Sequence, residues 1–275
     1  MRHRTAWVVL GVASLLPVRG TLDAQASAVP DQAPYIEGMT WTEVRDAIQG
    51  GSRAAIIPTG GTEQNGPHMI LGKHNYIVSF AAGQIAERIG KTLVAPTIQY
   101  VPEGDYKRPD FGAKPGVISL PQAAYERVLD AGVRSLRAHG FTDILLIGDS
   151  GGNQQGLTNV ANALNEEWKG SGVRVYALVD YYQKGRIAIR EYLQKTFGWD
   201  AATVGSHAGT SDTSQLLYVH AAGIRTDKLM PGGGSPDAGV TGDPTKASAA
   251  IGKIAIDQKV DFAVAQYRTL KTGTP

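Results

Sequence analysis

The stretch "TDILLIGDSGGN", residues 142–153, joins an uninterrupted apolar run to a glycine-rich turn. A short run that is apolar at every position is typical of a strand buried on both faces, as in a parallel sheet. The residues that follow, "NQQGLTNVANALNEEWKG" (153–170), have helical spacing of apolar side chains and end at a glycine. A strand, a turn and a helix in this order predict one βα unit of an α/β fold.

The same alternation continues along the chain. Helices are predicted for residues 40–51, 75–89 and 119–140, the last capped by Ser119, and strands for residues 53–61, 92–100 and 172–182. With 275 residues and 42% hydrophobic content, the chain is long enough for one sizeable core. We therefore expect a single α/β domain over residues 39–275, with a mostly parallel sheet flanked by helices on both faces.

The first 26 residues have the features of a signal peptide. Basic residues Arg2 to Arg4 precede an apolar stretch, 6–18, that is short for a membrane span, and residues 24–26 (Ala-Gln-Ala) fit a cleavage site. We expect an exported protein, periplasmic or secreted, with a lead-in at residues 27–38 and no membrane attachment after cleavage. A buried helix or an uncleaved anchor is the alternative.

Charge and cysteine content exclude several classes of function. The net charge is +2 with lysine and arginine spread evenly, so no basic patch indicates a nucleic-acid or membrane partner. The chain has no cysteine, which excludes thiolate catalysis and cysteine–zinc sites. A small molecule is therefore the expected partner.

Three polar, glycine-bearing segments are candidates for its binding site. They are "TGGTEQNGPH" (59–68), "GDSGGN" (148–153) and "GSHAGTSDTS" (205–214). The first two follow predicted strands, and ligands of parallel sheets bind at the carboxyl ends of the strands. We expect the three segments to converge on one site.

The side chains of these segments suit metal or acid/base chemistry. Glu63 and His74 offer a carboxylate and an imidazole, ligands that zinc, manganese and iron accept. His207 is a candidate general acid/base, and Asp212 lies close to it in sequence. Structural roles remain open as well. Glu63 and His74 can stabilise a loop by a hydrogen bond, and helix caps or turns explain Asp149, Asp212 and Asn153 equally well.

Five ordered segments, spanning residues 40–258, resemble the creatininase (creatinine amidohydrolase) family. The run "GGTEQNGPHMILGKH" is similar to the family's Gly-Ser-x-Glu-Gln-His-Gly-Pro-His run and the Asp after it. "FGAKPGVISL" resembles Phe-Pro-Gly-Thr-Ile-Ser-Leu, and "GDSGGN" resembles Gly-His-Gly-Gly-Asn. "HAGTSDTS" resembles His-Ala-Gly-Glu-x-Glu-Thr-Ser, and "GVTGDPTKASAAIG" contains the family's late Gly-Asp-Pro.

The resemblance implies an α/β fold, often a hexamer, that hydrolyses C–N bonds of cyclic or linear amides with two metal ions and a bridging water. Glu63 keeps the first metal ligand of the family. At the four other ligand positions, His74 replaces the bridging Asp, and Asn65, Ser150 and Thr210 replace a His, a His and a Glu. Since an imidazole nitrogen binds only one cation, the two-metal centre is not expected to persist.

We therefore expect an amidohydrolase, acting on amides other than peptide bonds, with a remodelled site. At most one divalent ion (Zn, Mn or Fe) is expected, held by Glu63, His74 and Asp149, and a metal-free site remains open. The expected catalytic residues are His207, Asp212 and Glu63. The expected substrate contacts are Asn65, His68, Ser150, Asn153 and Tyr106, the last in a lid with Lys107 and Arg108.

Two other functions are compatible with these residues. One is a metal-free acid/base enzyme, a lyase or isomerase, with His74 and His207 on opposite sides of the substrate. The other is an inactive member of the fold that binds a small ligand. A homo-oligomer is expected in each case, as the resemblance implies.

Overall fold

The computed structural model describes residues 34–230, 232 and 234–273. The predicted signal peptide and residues 27–33 of the predicted lead-in lie outside the described residues. None of the described helices combines the length and the apolar character that crossing a membrane requires.

The centre of the domain is a sheet of four parallel strands. They are β1 (Ala54–Thr59), β2 (Thr92–Val94), β3 (Asp143–Gly148) and β4 (Arg174–Ala177). The strand order is β2-β1-β3-β4, and all three pairings are parallel. The longest pairing runs from Ala54 opposite Asp143 to Thr59 opposite Gly148. The carboxyl ends of the two central strands therefore lie side by side.

Eight α-helices surround the sheet within the described residues. They are α1 (Trp41–Gln49), α2 (Lys73–Ile89), α3 (Gln122–Ala138), α4 (Gln154–Glu167), α5 (Asp180–Phe197), α6 (Ala201–Val204), α7 (Thr210–Val219) and α8 (Ala249–Thr272). Alternate strand residues face opposite cores. Ile56 and Leu145 pack with α2 and α8, whereas Ile57 and Leu146 pack with α3 and α4. The expected α/β class, with helices on both faces, is confirmed.

Some predicted boundaries are wrong. β2 has three residues instead of nine, and the predicted strand 172–182 ends at Ala177, after which α5 begins at Asp180. Ser119 does not cap α3, which starts three residues later. Its hydroxyl instead accepts from the Glu103 N–H and donates to the Gly104 carbonyl. A side chain that far from the first turn cannot reach the free N–H groups of the helix.

Candidate functional site

The three polar segments meet in one pocket at the carboxyl ends of β1 and β3. The pocket contains about 820 Å³ of empty space, part of it open to solvent. Its wall includes the predicted residues Glu63, His74, Asp149, Ser150, His207 and Asp212. The location is the one expected for a ligand site of a parallel sheet.

His74, in the first turn of α2, bridges two carboxylates. Its Nδ1 lies 2.7 Å from Asp149 Oδ2 and its Nε2 lies 2.7 Å from Glu63 Oε1. Because a carboxylate oxygen only accepts, both ring nitrogens must donate, and the ring is an imidazolium. Burial and the charge of Lys73 lower the pKa of His74, but its bonds to Asp149 and Glu63 outweigh them and raise it to about 9.

Asp149 is buried and fully paired. Its Oδ1 accepts from Lys259 Nζ at 2.6 Å and from the Tyr181 hydroxyl at 2.9 Å. Burial alone would raise the pKa of Asp149, yet the charge of Lys259 and the bond from His74 hold it below its usual range. Asp149 does not cap the following helical turn. Ser150 does, since its Oγ accepts from the Gly152 N–H at 3.4 Å.

Lys73 is a second buried cation, and its side chain is only 1% exposed. Its Nζ donates to Asp212 Oδ2 at 2.6 Å and lies 3.5 Å from Glu63 Oε1. Burial would lower the pKa of Lys73, but the charges of Asp212 and Glu63 raise it well above its usual range. Asp212 also accepts from the Ala208 N–H at 3.0 Å. It therefore stabilises the start of α7 and also pairs with Lys73.

These side chains form one continuous row in which negative and positive groups alternate. In order, the row contains Asp212, Lys73, Glu63, His74, Asp149 and Lys259. We call it the charge row. Its three carboxylates are balanced by its three cations, so the row as a whole is neutral. That balance explains how six ionisable groups can share one poorly solvated site.

His207 lies beside the charge row with one ring nitrogen turned toward it. Its Nδ1 donates to the Gly239 carbonyl at 2.9 Å, so a neutral ring would carry its lone pair on Nε2. Nε2 lies 3.5 Å from Glu63 Oε1. Burial would raise the pKa of Glu63, but the charge of Lys73 and the bond from His74 hold it well below its usual range. The next residue, Ala208, has a left-handed backbone (φ 53°), a strained geometry that is often found at functional sites.

Glu103, which sequence reasoning did not identify, extends the site behind Ser150. Its Oε2 accepts from Ser150 Oγ at 3.1 Å, while its buried Oε1 has no hydrogen-bond partner among the described residues. Burial and the charge of Glu63 raise the pKa of Glu103 to about 7. A Cβ on Gly61 would lie 1.9 Å from Glu103 Oε1, so a larger residue there would displace this carboxyl.

Four predicted substrate-binding residues do not line the pocket. Asn65 and His68 are fully buried, and Asn153 bonds through both ends of its amide to the Ser150 N–H and the Gly60 carbonyl. Tyr106 is 50% exposed and lies away from the pocket wall. A substrate contact by any of them stays a prediction, and Asn153 in particular has the turn-stabilising role that was its alternative.

Four cationic residues of the pocket were also missed. They are Lys73, Lys259, Arg186 and Arg190. A signal for Lys259 was present, because it shares the buried stripe of α8 with Ile256, Val260 and Ala263. A lysine in such a stripe must find a buried partner. The other three lie near helix ends or on exposed faces. A charged residue is ordinary at such positions, so no sequence pattern singles them out.

The donor groups of this site do not fit a metal ion. His74 has no lone pair to offer while both of its nitrogens donate, and the Lys73 ammonium stands against Glu63 and Asp212. Within residues 34–230, 232 and 234–273, no three or more His, Asp or Glu side chains are arranged to hold a metal. The predicted metal role of Glu63, His74 and Asp149 stays a prediction, and the hydrogen bonds argue against it.

Comparison with known proteins agrees with the fold and the motifs. A family model described as creatinine amidohydrolase matches residues 37–267. The mycofactocin precursor peptide peptidase of Mycolicibacterium smegmatis is 27% identical over 224 residues, which cover 72% of this chain and 77% of the relative. A mutant creatininase superposes with a TM-score of 0.70 at 20% identity, covering 89% of this chain and all of the other. A creatininase described with Mn gives 0.68 at 22% identity, with the same coverage. The chain belongs to the creatininase family.

Proposed function

We propose that this chain is a hydrolase that cleaves a C–N amide bond of a small polar molecule, with His207 as the general base. The observation that carries the proposal is the pair of acceptors formed by His207 Nε2 and Glu63 Oε1, 3.5 Å apart at the pocket wall. A water can donate one hydrogen to each of these atoms. Such a water is oriented by Glu63 and can lose its proton to His207.

The proposed reaction needs only side chains of this chain. As the water oxygen attacks the amide carbon, His207 Nε2 takes its proton, and the carbonyl oxygen becomes negative. The charge of Lys73, which lies on the pocket wall, stabilises that oxygen. His207 then gives the proton to the leaving nitrogen as the C–N bond breaks. His74 cannot share this task, because both of its nitrogens already donate.

Two arginines favour an anionic substrate. Arg186 and Arg190, one turn apart on α5, line the pocket, and neither has an ion-pair partner within the described residues. Since the charge row is neutral, these guanidinium groups leave the pocket positive. Guanidinium binds carboxylate with two parallel hydrogen bonds. We propose that the substrate carries a carboxylate near its scissile amide.

Peptide amides belong among the candidate substrates. The relatives with curated names are peptidases of a precursor peptide, whereas the motifs alone favoured other amides. A free peptide C-terminus supplies both an amide and a carboxylate, which fits the arginines. The proposal therefore covers peptide bonds next to a C-terminal carboxylate as well as amides of small acids.

The test is a substrate panel assayed for amine release. It contains N-acyl amino acids and short peptides, each peptide with a free and an amidated C-terminus. We expect release from compounds with a free carboxylate, and slower release from their amidated counterparts. If the protein releases no amine from any member, the hydrolase proposal fails.

A ligand-binding function is the second candidate, because the donor groups do not fit the metal ion described for a solved creatininase. Calorimetry with the same panel separates the two. Binding without amine release would favour a binding protein, and amine release would favour the enzyme.

Export and assembly also remain proposals. Export rests on residues 1–26 alone, and a homo-oligomer rests on the family resemblance. N-terminal sequencing of the purified protein tests cleavage after Ala26, and light scattering gives the number of subunits.

A further inference from the structure

The charge row contains three cations that are unusually well buried. The exposed fractions of the side chains are 1% for Lys73, 10% for His74 and 7% for Lys259. Lysine is almost never buried unless it is paired, because removing its charge from water is costly. Each of these cations contacts a carboxylate at 2.6–2.7 Å. Their positions are therefore set by the carboxylates of the pocket.

The carboxylates surround these cations in the way that carboxylates surround a metal ion. Glu63 Oε1 has His74 Nε2 at 2.7 Å and Lys73 Nζ at 3.5 Å. Asp149 uses one oxygen for His74 and the other for Lys259. Glu63 and Asp149 thus each meet positive charge on two sides, and Asp212 meets the Lys73 ammonium on one.

The side chains at three positions where the family has metal ligands form hydrogen bonds within the protein instead. The Asn65 amide donates to the Glu63 and Ile70 carbonyls at 2.9 and 3.3 Å. The Ser150 hydroxyl donates to Glu103, and the Thr210 hydroxyl donates to the Asp243 carbonyl at 2.7 Å. All three are buried and committed to the protein itself. The three replaced ligand positions and the buried cations of the charge row therefore occur together around the same pocket.

We propose that Lys73, His74 and Lys259 supply the positive charge that metal ions supply elsewhere in this family, so that this chain folds and keeps its pocket without a divalent ion. The Lys73 ammonium takes the place between Glu63 and Asp212. It follows that this place becomes able to bind a divalent cation once the lysine is removed. Two carboxylates left without a counter-charge are oxygen ligands that Mn²⁺ accepts.

The experiment compares the parent protein with Lys73→Ala by thermal unfolding, in EDTA and in MnCl₂, together with Mn²⁺ binding by calorimetry. We expect the parent Tm to be the same in both solutions and the parent to bind no Mn²⁺. Lys73→Ala should have a lower Tm in EDTA, should bind Mn²⁺, and should regain part of the lost Tm with it, because a ligand of the native state stabilises that state. The matched control is Lys195→Ala, at an exposed lysine near the end of α5, which should behave as the parent.

A parent protein that loses Tm in EDTA or binds Mn²⁺ would overturn the proposal. So would a Lys73→Ala protein that shows no response to Mn²⁺ while the parent is stable. If Lys73→Ala does not fold in either solution, Lys259→Ala, which uncovers Asp149, is tested in the same way and decides by the same outcomes. Because stability and metal binding are measured, the result does not depend on whether the hydrolase proposal holds.

Discussion

His74 Nε2 lies 2.7 Å from Glu63 Oε1, and the same ring reaches Asp149 with its other nitrogen. The two carboxylates come from the loops after β1 and β3, so this one side chain joins the ends of both central strands. An imidazolium in this position compensates two negative charges that the neighbouring backbone cannot solvate. The first prediction concerns its removal.

His74→Phe should lower the free energy of unfolding by about 3–5 kcal/mol, the range found when one partner of a buried ion pair is removed. The phenyl ring fills the space of the imidazole, so the loss does not come from a cavity. Urea unfolding followed by circular dichroism measures it. The matched control is His139→Phe at an exposed histidine, which should change stability by no more than about 0.5 kcal/mol. Equal effects of the two substitutions would refute the structural role of His74.

His207→Asn should reduce turnover by roughly 10²–10⁴-fold, the usual contribution of a general base. An asparagine amide can still donate to the Gly239 carbonyl, so the loop should stay in place while the acceptor at Nε2 is lost. The rate of amine release with the best panel substrate is the measurement. Unchanged turnover in a folded variant would remove His207 from the mechanism.

Arg186→Gln and Arg190→Gln should raise KM for substrates with a free carboxylate and leave KM for their amidated counterparts nearly unchanged. A hydrogen bond to a charged group contributes about 1.5–3 kcal/mol, which corresponds to a roughly tenfold or larger change for each arginine. Arg127→Gln, on an exposed position of α3 away from the pocket, is the control. If both classes of substrate respond equally, the arginines do not select a carboxylate.

Glu103→Gln tests the pH dependence that the raised pKa of Glu103 implies. The pKa rises from an ordinary 4.5 to about 7 in the folded protein, so the folded state holds this proton more tightly than the unfolded state. Stability from this group is complete below about pH 4.5 and is lost as the pH rises to about 7. Glutamine imitates the protonated form and should remove that loss. The Tm difference between variant and parent should therefore grow in favour of the variant from pH 5 to pH 8. A constant difference would contradict the raised pKa.

The fold was largely predictable because its signals are local. The apolar run of β3 and the glycines after it predicted a strand and a turn, and both are present. The ligand site predicted at the same edge coincides with a pocket and stays a prediction. The pocket residues of the three polar segments were predictable for the same reason, since carboxyl ends of neighbouring parallel strands must meet.

The charge row was not predictable, because its contacts are long-range. Lys73 meets Asp212 across 139 residues, and Lys259 meets Asp149 across 110. Nothing in the local pattern says which acidic residue a buried lysine will meet. The motif substitutions at His74 and Ser150 led us to predict a changed metal site, but only the packing of α8 against the sheet brings in the third cation.

The most direct test of this account is the metal content of the full-length protein, purified without chelators and analysed by plasma mass spectrometry alongside its Tm. We expect no divalent metal in proportion to the chain, and the same Tm before and after treatment with EDTA. One or two equivalents of zinc, manganese or iron per chain, with a Tm that falls on chelation, would show that the pocket is a metal centre and that the charge row does not replace it.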